Sequence, residues 1–292
     1  MKRALCIALA AVLMLQARAL ADVERSPLLD AAFSLLEKDN VFQRRYNERT
    51  GACVTSLFDT GMPYFFGGKP GRLLMSRYPE FARRRCWEDT DHFEAGQSYV
   101  YGLDCTGFIM WVRRQAGLPE LPDISDILLY RKYRENALYN GGRSMGKDAD
   151  TLPGPQELTK SLRAGDLLIT RGRYRHVMIY IGTLRDYGFT AESDPETAKV
   201  LDHPLVIHSG DHPRYAQAIS DYILAHQDYF DNCRTTSGGV SVALLYAPPA
   251  EAPHHKTSQG AAFDYYLIDQ GRYELIIRPT DNLRRYCWYR PD

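Results

Sequence analysis

An excess of charge of either sign is missing from this chain. Its 36 lysines and arginines balance 36 aspartates and glutamates, for a formal net charge of zero at neutral pH. Such a chain carries no basic footprint for a polyanion, which argues against nucleic acid as a partner. Neither Cys-x-x-Cys nor His-Glu-x-x-His occurs, so the spacings that mark common zinc sites are lacking. There is no internal repeat and no sustained heptad. Past the apolar run from Ala4 to Leu15, no segment is apolar for long enough to span a bilayer. At 292 residues the chain has room for one elaborated domain or two small ones.

What is present centres on one cysteine. Cys105 stands in Gly102-Leu103-Asp104-Cys105-Thr106-Gly107-Phe108, directly ahead of a helical pattern. Cys105, Phe108, Ile109 and Val112 recur at i, i+3, i+4 and i+7, one buried stripe of a helix that Gly117 and Pro119 end. Asp104 takes the N-cap position and Cys105 the first turn, where the helix dipole favours a thiolate and is expected to lower the thiol pKa. An arbitrary cysteine is more often a small buried core residue. Here polar or tiny neighbours on both sides weigh against that.

Two histidines follow on strand patterns. In Arg175 to Gly182, Val177, Ile179 and Ile181 alternate with His176, Met178 and Tyr180, a strand with two distinct faces. His208 ends the run Val206-Ile207-His208. Taken singly, each is more often structural than catalytic. A metal-ligand reading of His208 with Asp211 and His212 is the weaker one, because Gly210 and Pro213 make this stretch a turn. His254-His255, in a Pro/Ala-rich segment, reads as solvated loop. A thiol at a helix start followed by two strand-borne histidines is the set a cysteine hydrolase needs: Cys105 as nucleophile, His176 as general base, His208 to orient the imidazole. Amides at the helix start would meet the oxyanion. Arg171, Arg173 and Arg175 crowd the turn ahead of His176; they read either as a solvated hairpin turn or, for Arg175 above all, as a cation for a substrate carboxylate.

In chain order, four fragments together resemble the NlpC-type cell-wall cysteine peptidases. Pro63-Tyr64-Phe65-Phe66-Gly67-Gly68 is similar to that family's Pro-Tyr-x-Trp-Gly-Gly, with Phe66 in place of Trp. Asp104-Cys105-Thr106-Gly107 is similar to its Asp-Cys-Ser-Gly. Gly165-Asp166-Leu167 and His176-Val177-Met178-Ile179-Tyr180-Ile181-Gly182 are similar to its Gly-Asp segment and His-Val-Gly-Ile-Tyr-x-Gly, with Met178 for Gly. Ile207-His208 is similar to its final strand. The resemblance covers roughly residues 60–210. It implies an α+β, papain-like fold, with the cysteine at a helix N-terminus packed on an antiparallel sheet that carries the histidines. It implies hydrolysis of peptidoglycan stem peptides at the γ-D-glutamyl–diamino acid bond, with no metal or organic cofactor. It also implies Tyr64 beside the thiol, and Asp104 with Thr106 on the free amine of the stem peptide. Residues 69–101, 118–160 and 183–203 exceed the family pattern and read as loops inserted around the cleft. Two other classes stay open. One is an amidase, thiol acyltransferase or lipid hydrolase on the same fold, which a broad apolar groove would favour. The other is a non-catalytic envelope binding protein with a blocked cleft, against which intact Cys105, His176 and His208 argue.

The ends fit an exported enzyme. Met1-Lys2-Arg3, the apolar Ala4 to Leu15 and the small-residue Ala19-Leu20-Ala21 read as a signal peptide over 1–21, cleaved after Ala21, with no stable membrane span afterwards. The product would be periplasmic or extracellular. Residues 22–292 read as a single elaborated catalytic domain. Cys6 would leave with the signal, and Cys53, Cys86, Cys233 and Cys287 would form up to two disulfides of open connectivity, with Cys105 left as a thiol. Residues 26–49 read as a helix opened by Ser26-Pro27, with Leu28, Leu29, Ala32, Leu35 and Leu36 on one face. Tyr215 to Phe230 reads as a helix and Ser241 to Tyr246 as a strand. Tyr265 to Ile268 and Tyr273 to Ile277 read as a hairpin through Asp269-Gln270-Gly271, expected to extend the catalytic sheet or pack beside it.

Overall fold

Ser26 and Pro27 start a helix for the reason the sequence suggests. In a computed structural model, described over residues 26–37, 61–62, 64, 68–70, 76–77, 99–100, 102–121, 132–141, 153–171, 175–192, 198–211, 238–246, 265–268, 273–279 and 285–291, Ser26 Oγ accepts from Leu29 N–H at 3.4 Å and Pro27 opens α1 (Pro27–Ser34). Proline costs nothing there, because its missing N–H would have no helical partner. Leu28, Leu29, Ala32 and Phe33 are buried. The helix is shorter than the predicted 26–49. Leu35 and Leu36 turn their N–H groups back three residues, onto Ala32 O and Phe33 O, and the Leu35 carbonyl accepts instead from Met62 N–H at 2.8 Å. That long-range bond takes the acceptor a further helical turn would need. Residues 38–49 lie outside the described residues, as do residues 1–21, expected to be a signal peptide, and the helix expected at Tyr215 to Phe230.

Two short strands, β1 (Ser76–Arg77) and β2 (Tyr99–Val100), pair antiparallel. The helix of the Cys105 motif, α2, runs Cys105–Gln115. Gly117, at φ 69°, closes it, and Leu118 N–H returns to Arg113 O, a Schellman-type end. The other described strands form one eight-stranded sheet: β3 (Tyr139–Gly141), β4 (Leu167–Arg171), β5 (His176–Gly182), β6 (Leu205–Asp211), β7 (Gly238–Tyr246), β8 (Tyr265–Ile268), β9 (Tyr273–Pro279) and β10 (Arg285–Tyr289). Their order is β3-β10-β4-β5-β6-β7-β9-β8. All neighbours pair antiparallel except β7 and β9, which are parallel. The expected hairpin β8–β9 thus extends the sheet, and its parallel junction makes the sheet mixed rather than purely antiparallel.

Both faces of the sheet are covered, which explains why β5 is buried from Val177 onward. Val177, Ile179, Ile181, Leu205, Ile207, Val242 and Leu244 meet Phe108, Ile109 and Val112 of α2 and Leu28, Leu29 and Phe33 of α1. Met178, Tyr180, Val206, Ala243, Leu245 and Trp288 face the other way, beneath Leu158 and Leu162 of a short helix, α3 (Pro155–Ser161) and its C-cap. The predicted inserted loops therefore need correcting. The 118–160 stretch supplies an edge strand and α3. The 183–203 stretch supplies Leu184, Val200 and Leu201 to the main core. Apolar content decides this, since such residues gain from burial.

β10 was not visible in the sequence. Its Cys287 was expected among the cysteines that form up to two disulfides. It is instead a buried free thiol beside Tyr133, pushed up in pKa chiefly by that burial. Cys287 therefore takes no part in the expected disulfides, and Cys53, Cys86 and Cys233 lie outside the described residues. Just past β10, Arg290 reaches back to Asp166. Its Nε donates to Oδ1 at 2.8 Å and one guanidinium nitrogen to Oδ2 at 2.7 Å, while Ser161 O takes a third bond. Asp166 has a side-chain exposure of 2%. Removing one partner of such a pair leaves a buried charge poorly solvated. Arg290→Ala is therefore expected to destabilise the fold by about 2–3 kcal/mol, read as a lower urea midpoint at unchanged m-value. A loss under about 0.5 kcal/mol, the scale of surface substitutions, would mean that water replaces the guanidinium.

Candidate active site

The site grows from the N-terminus of α2. Asp104 caps it: its Oδ1 accepts from Gly107 N–H at 2.7 Å, and its carbonyl accepts from Phe108 N–H. Gly107 has to be glycine, because a Cβ there would run into the carbonyl oxygen of Gly68. That same carbonyl accepts from Asp104 N–H at 3.1 Å. The Gly-Gly and Asp-Cys-Thr-Gly segments are thus pressed together backbone to backbone. Leu103, directly before the cap, is fixed from the sheet, because Ser209 Oγ donates to its carbonyl at 2.7 Å.

Cys105 lands at the start of β5. The backbone amides of Val177 and Thr106 lie where they favour its thiolate form. One residue before Val177 stands His176. Across the sheet, His176 Nε2 and His208 Nδ1 are 2.9 Å apart and the rings meet edge to face at 86°. His208 is fully buried, and its Nε2 lies 3.5 Å from Ser241 Oγ, its direct neighbour in the β6–β7 register. A row of polar side chains, His176, His208 and Ser241, therefore runs from β5 through β6 to β7. The Gly165-Asp166 motif sets β5 from behind. Gly165 adopts φ 101°, and Tyr180 N–H donates to Asp166 O at 2.7 Å; a positive φ is cheap only for glycine.

Gly210, read from the sequence as part of a turn, lies instead within β6, paired with Gly239 of β7. Continuing the pairing of Ile179 with Ile207 places it across from His176. A Cβ on it would come within 2.9 Å of both His176 Cε1 and His208 Nδ1. The histidine pair therefore exists because this position has no side chain. No local pattern signals this. It follows only from cross-strand register.

The thiol itself corrects an expectation. The helix start was expected to lower its pKa. Burial of the sulfur dominates instead and, with the Asp104 carboxylate, pushes the thiol up to about 11, against the downward pull of Lys69 and the amides of Val177 and Thr106. The dipole's help near a helix end is modest, whereas desolvation of a charged form can be several times larger. At neutral pH the resting group is a thiol.

Of the expected substrate contacts, Arg175 is exposed one residue ahead of His176, and Tyr64 is half-buried. Asp104 and Thr106 do meet beside Cys105, with Thr106 Oγ1 donating to Asp104 Oδ1 at 2.8 Å. They are not open, however: Lys69 Nζ binds both Asp104 oxygens, at 2.5 and 2.6 Å, and Thr106 Oγ1 as well. Lys69 sits in a Gly-Lys-Pro step that carried no signal of its own. Among the described residues no group of three or more His, Cys, Asp or Glu side chains is placed to hold a metal ion, and no helix is long and apolar enough to cross a membrane.

Residues 61–204 match the model of the NlpC/P60 family. No curated protein and no solved structure matches the chain. The matched stretch contains Tyr64, the Asp104-Cys105-Thr106-Gly107 cap, Gly165-Asp166 and all of β5, and it stops just ahead of His208. Over that stretch, just under half of the chain, the sequence is similar to the NlpC/P60 family, whose members are cell-wall peptidases and amidases.

Proposed function

We propose that this protein is an exported thiol hydrolase that cuts peptidoglycan stem peptides at the bond between γ-D-glutamate and the diamino acid. The observation that carries the reading is the pair of histidines across β5 and β6, with His176 Nε2 held 2.9 Å from the buried His208 Nδ1 and the Val177 amide beside His176 favouring the Cys105 thiolate. In this reading His176 acts as base. With Nε2 engaged by His208, the thiol proton passes to Nδ1 as the sulfur attacks the scissile carbonyl carbon. A thiol with a pKa of about 11 suits such concerted transfer better than a preformed ion pair. The negative charge collects on the carbonyl oxygen. Asp104 already takes the Gly107 and Phe108 N–H groups, so the amides at the very start of α2 are the donors for it. His176 returns its proton to the leaving amine. Water, deprotonated by the same imidazole, then cleaves the thioester and restores the thiol.

A γ-linked glutamate keeps a free α-carboxylate beside the scissile carbonyl. Arg175, exposed next to His176, supplies the matching cation. Export to the periplasm or beyond is supported by the basic, apolar and small-residue pattern of residues 1–21. Mass spectrometry of the products from purified peptidoglycan fragments tests the reading. The expected fragments end in γ-D-glutamate on one side and begin with the diamino acid on the other. Release of whole stem peptides by cutting at the lactyl amide would make the protein an amidase, and efficient hydrolysis of phospholipid would sink the peptidase reading.

A further inference from the structure

The lysine next to the thiol has an arrangement the proposed chemistry does not use. Lys69 follows Gly68, whose carbonyl is trapped between Asp104 N–H and the bare Cα of Gly107. The lysine side chain therefore starts from a fixed point and reaches forward over the helix cap. Its ammonium has three hydrogens, and three acceptors receive them: Oδ1 and Oδ2 of Asp104 and Oγ1 of Thr106. The Lys69 side chain is 20% exposed and that of Asp104 10%, so the pair is largely shielded from water. Asp104 Oδ1 also accepts from Gly107 N–H and Thr106 Oγ1. This carboxylate has little capacity left for another donor.

We infer that Lys69 is a specificity residue: its ammonium fills the acidic subsite beside Cys105, so that the enzyme takes peptides whose N-terminal nitrogen is acylated and discriminates against those ending in a free ammonium. An ammonium from a substrate would have to displace a tethered one, which competes at the high effective concentration of an attached group. It would otherwise sit against a like charge with no free carboxylate oxygen to meet it. An amide nitrogen carries no charge and makes no such demand. For a stem peptide this means a chain still joined to its glycan, or one capped by another acyl group. The inference rests on the reading of Cys105 as the nucleophile of a stem-peptide hydrolase.

The test is a ratio. The tetrapeptide L-Ala-γ-D-Glu-diaminopimelate-D-Ala is supplied with a free or an acetylated N-terminus, and kcat/KM is measured for each. The wild-type protein is expected to favour the acetylated form by roughly tenfold or more. Lys69→Met should erase or reverse that preference, and Lys69→Arg should largely keep it. Loss of the lysine also removes a cation that favours the thiolate, which slows both peptides, but this common factor cancels in the ratio. A wild-type preference for the free amine would overturn the assignment while leaving the hydrolase reading intact, and so would a ratio that Lys69→Met does not move. Failure of the wild-type protein to cut either peptide would overturn the hydrolase reading and the inference with it. The wild-type ratio needs no variant, so a misfolded Lys69→Met would not spare the assignment.

Discussion

Cys105→Ala is expected to lower hydrolysis of stem peptides by about four orders of magnitude or more while leaving the urea midpoint nearly unchanged. The residue sits at the edge of the main core, where Phe108, Ile109 and Val112 carry the packing, so loss of one sulfur atom removes chemistry and little else. Cys105→Ser should be almost as inactive, because a hydroxyl ionises far less readily than a thiol and the site already disfavours the anion. The same physics sets a pH dependence. A thiol pushed up to about 11 by burial is protonated across the neutral range, and its thiolate fraction grows about tenfold for each pH unit below that value. Alkylation of Cys105 by iodoacetamide should therefore accelerate steadily from pH 7 to pH 10. A rate already flat at pH 7 would show a preformed thiolate–imidazolium pair. Retained turnover in Cys105→Ala would end the cysteine-hydrolase reading.

Loss of the base should be nearly as severe. His176→Ala is expected to match Cys105→Ala within about tenfold, since groups that act as a unit are not additive. At the neighbouring position the outcome is graded. His208→Asn keeps an amide oxygen that can accept the His176 Nε2 proton and should retain part of the rate. His208→Ala leaves the imidazole unheld and should lose about 10–100-fold. Gly210→Ala tests the same geometry without removing a functional group. Its methyl would enter the 2.9 Å space against both rings, and a displacement on the order of 1 Å in a reacting group can cost about 10²-fold. A double mutant of Gly210→Ala with His208→Ala should then be little worse than His208→Ala alone. If Gly210→Ala were as fast as wild type, the two rings would not need their present separation, and if His208→Ala were as fast, the orienting role would belong elsewhere.

Much of this was legible because it is local. The α2 helix announces itself through a cap, a 3.6-residue stripe and a closing glycine, all within a short stretch of chain. The strand β5 shows its alternation in the same way and β6 its short apolar run, and with them come the two histidines. What stayed hidden depends on contacts distant in sequence. Lys69 acquires its place only because Gly68 and Gly107 touch. Gly210 matters only through the register between β5 and β6. The thiol pKa was misread because the dipole is a local term and desolvation a tertiary one. β10 was overlooked because Arg285 and Arg290 frame it with charge, although Tyr286, Cys287 and Trp288 between them are all buried. The end of α1 was likewise set by Met62, a partner far along the chain.

The place of β10 has a bearing on the order of events during synthesis. The strand that lies between β3 and β4 is the last of the described strands to leave the ribosome, and β4 is the immediate neighbour of the histidine-bearing β5. Until β10 arrives, the β4–β5 ribbon keeps one side of its backbone unpaired, and Asp166 lacks its arginine. Long-range pairing of this kind forms slowly. A nascent chain therefore carries Cys105 and both histidines well before the sheet that aligns them is complete, and on the proposed reading its hydrolytic competence waits for β10.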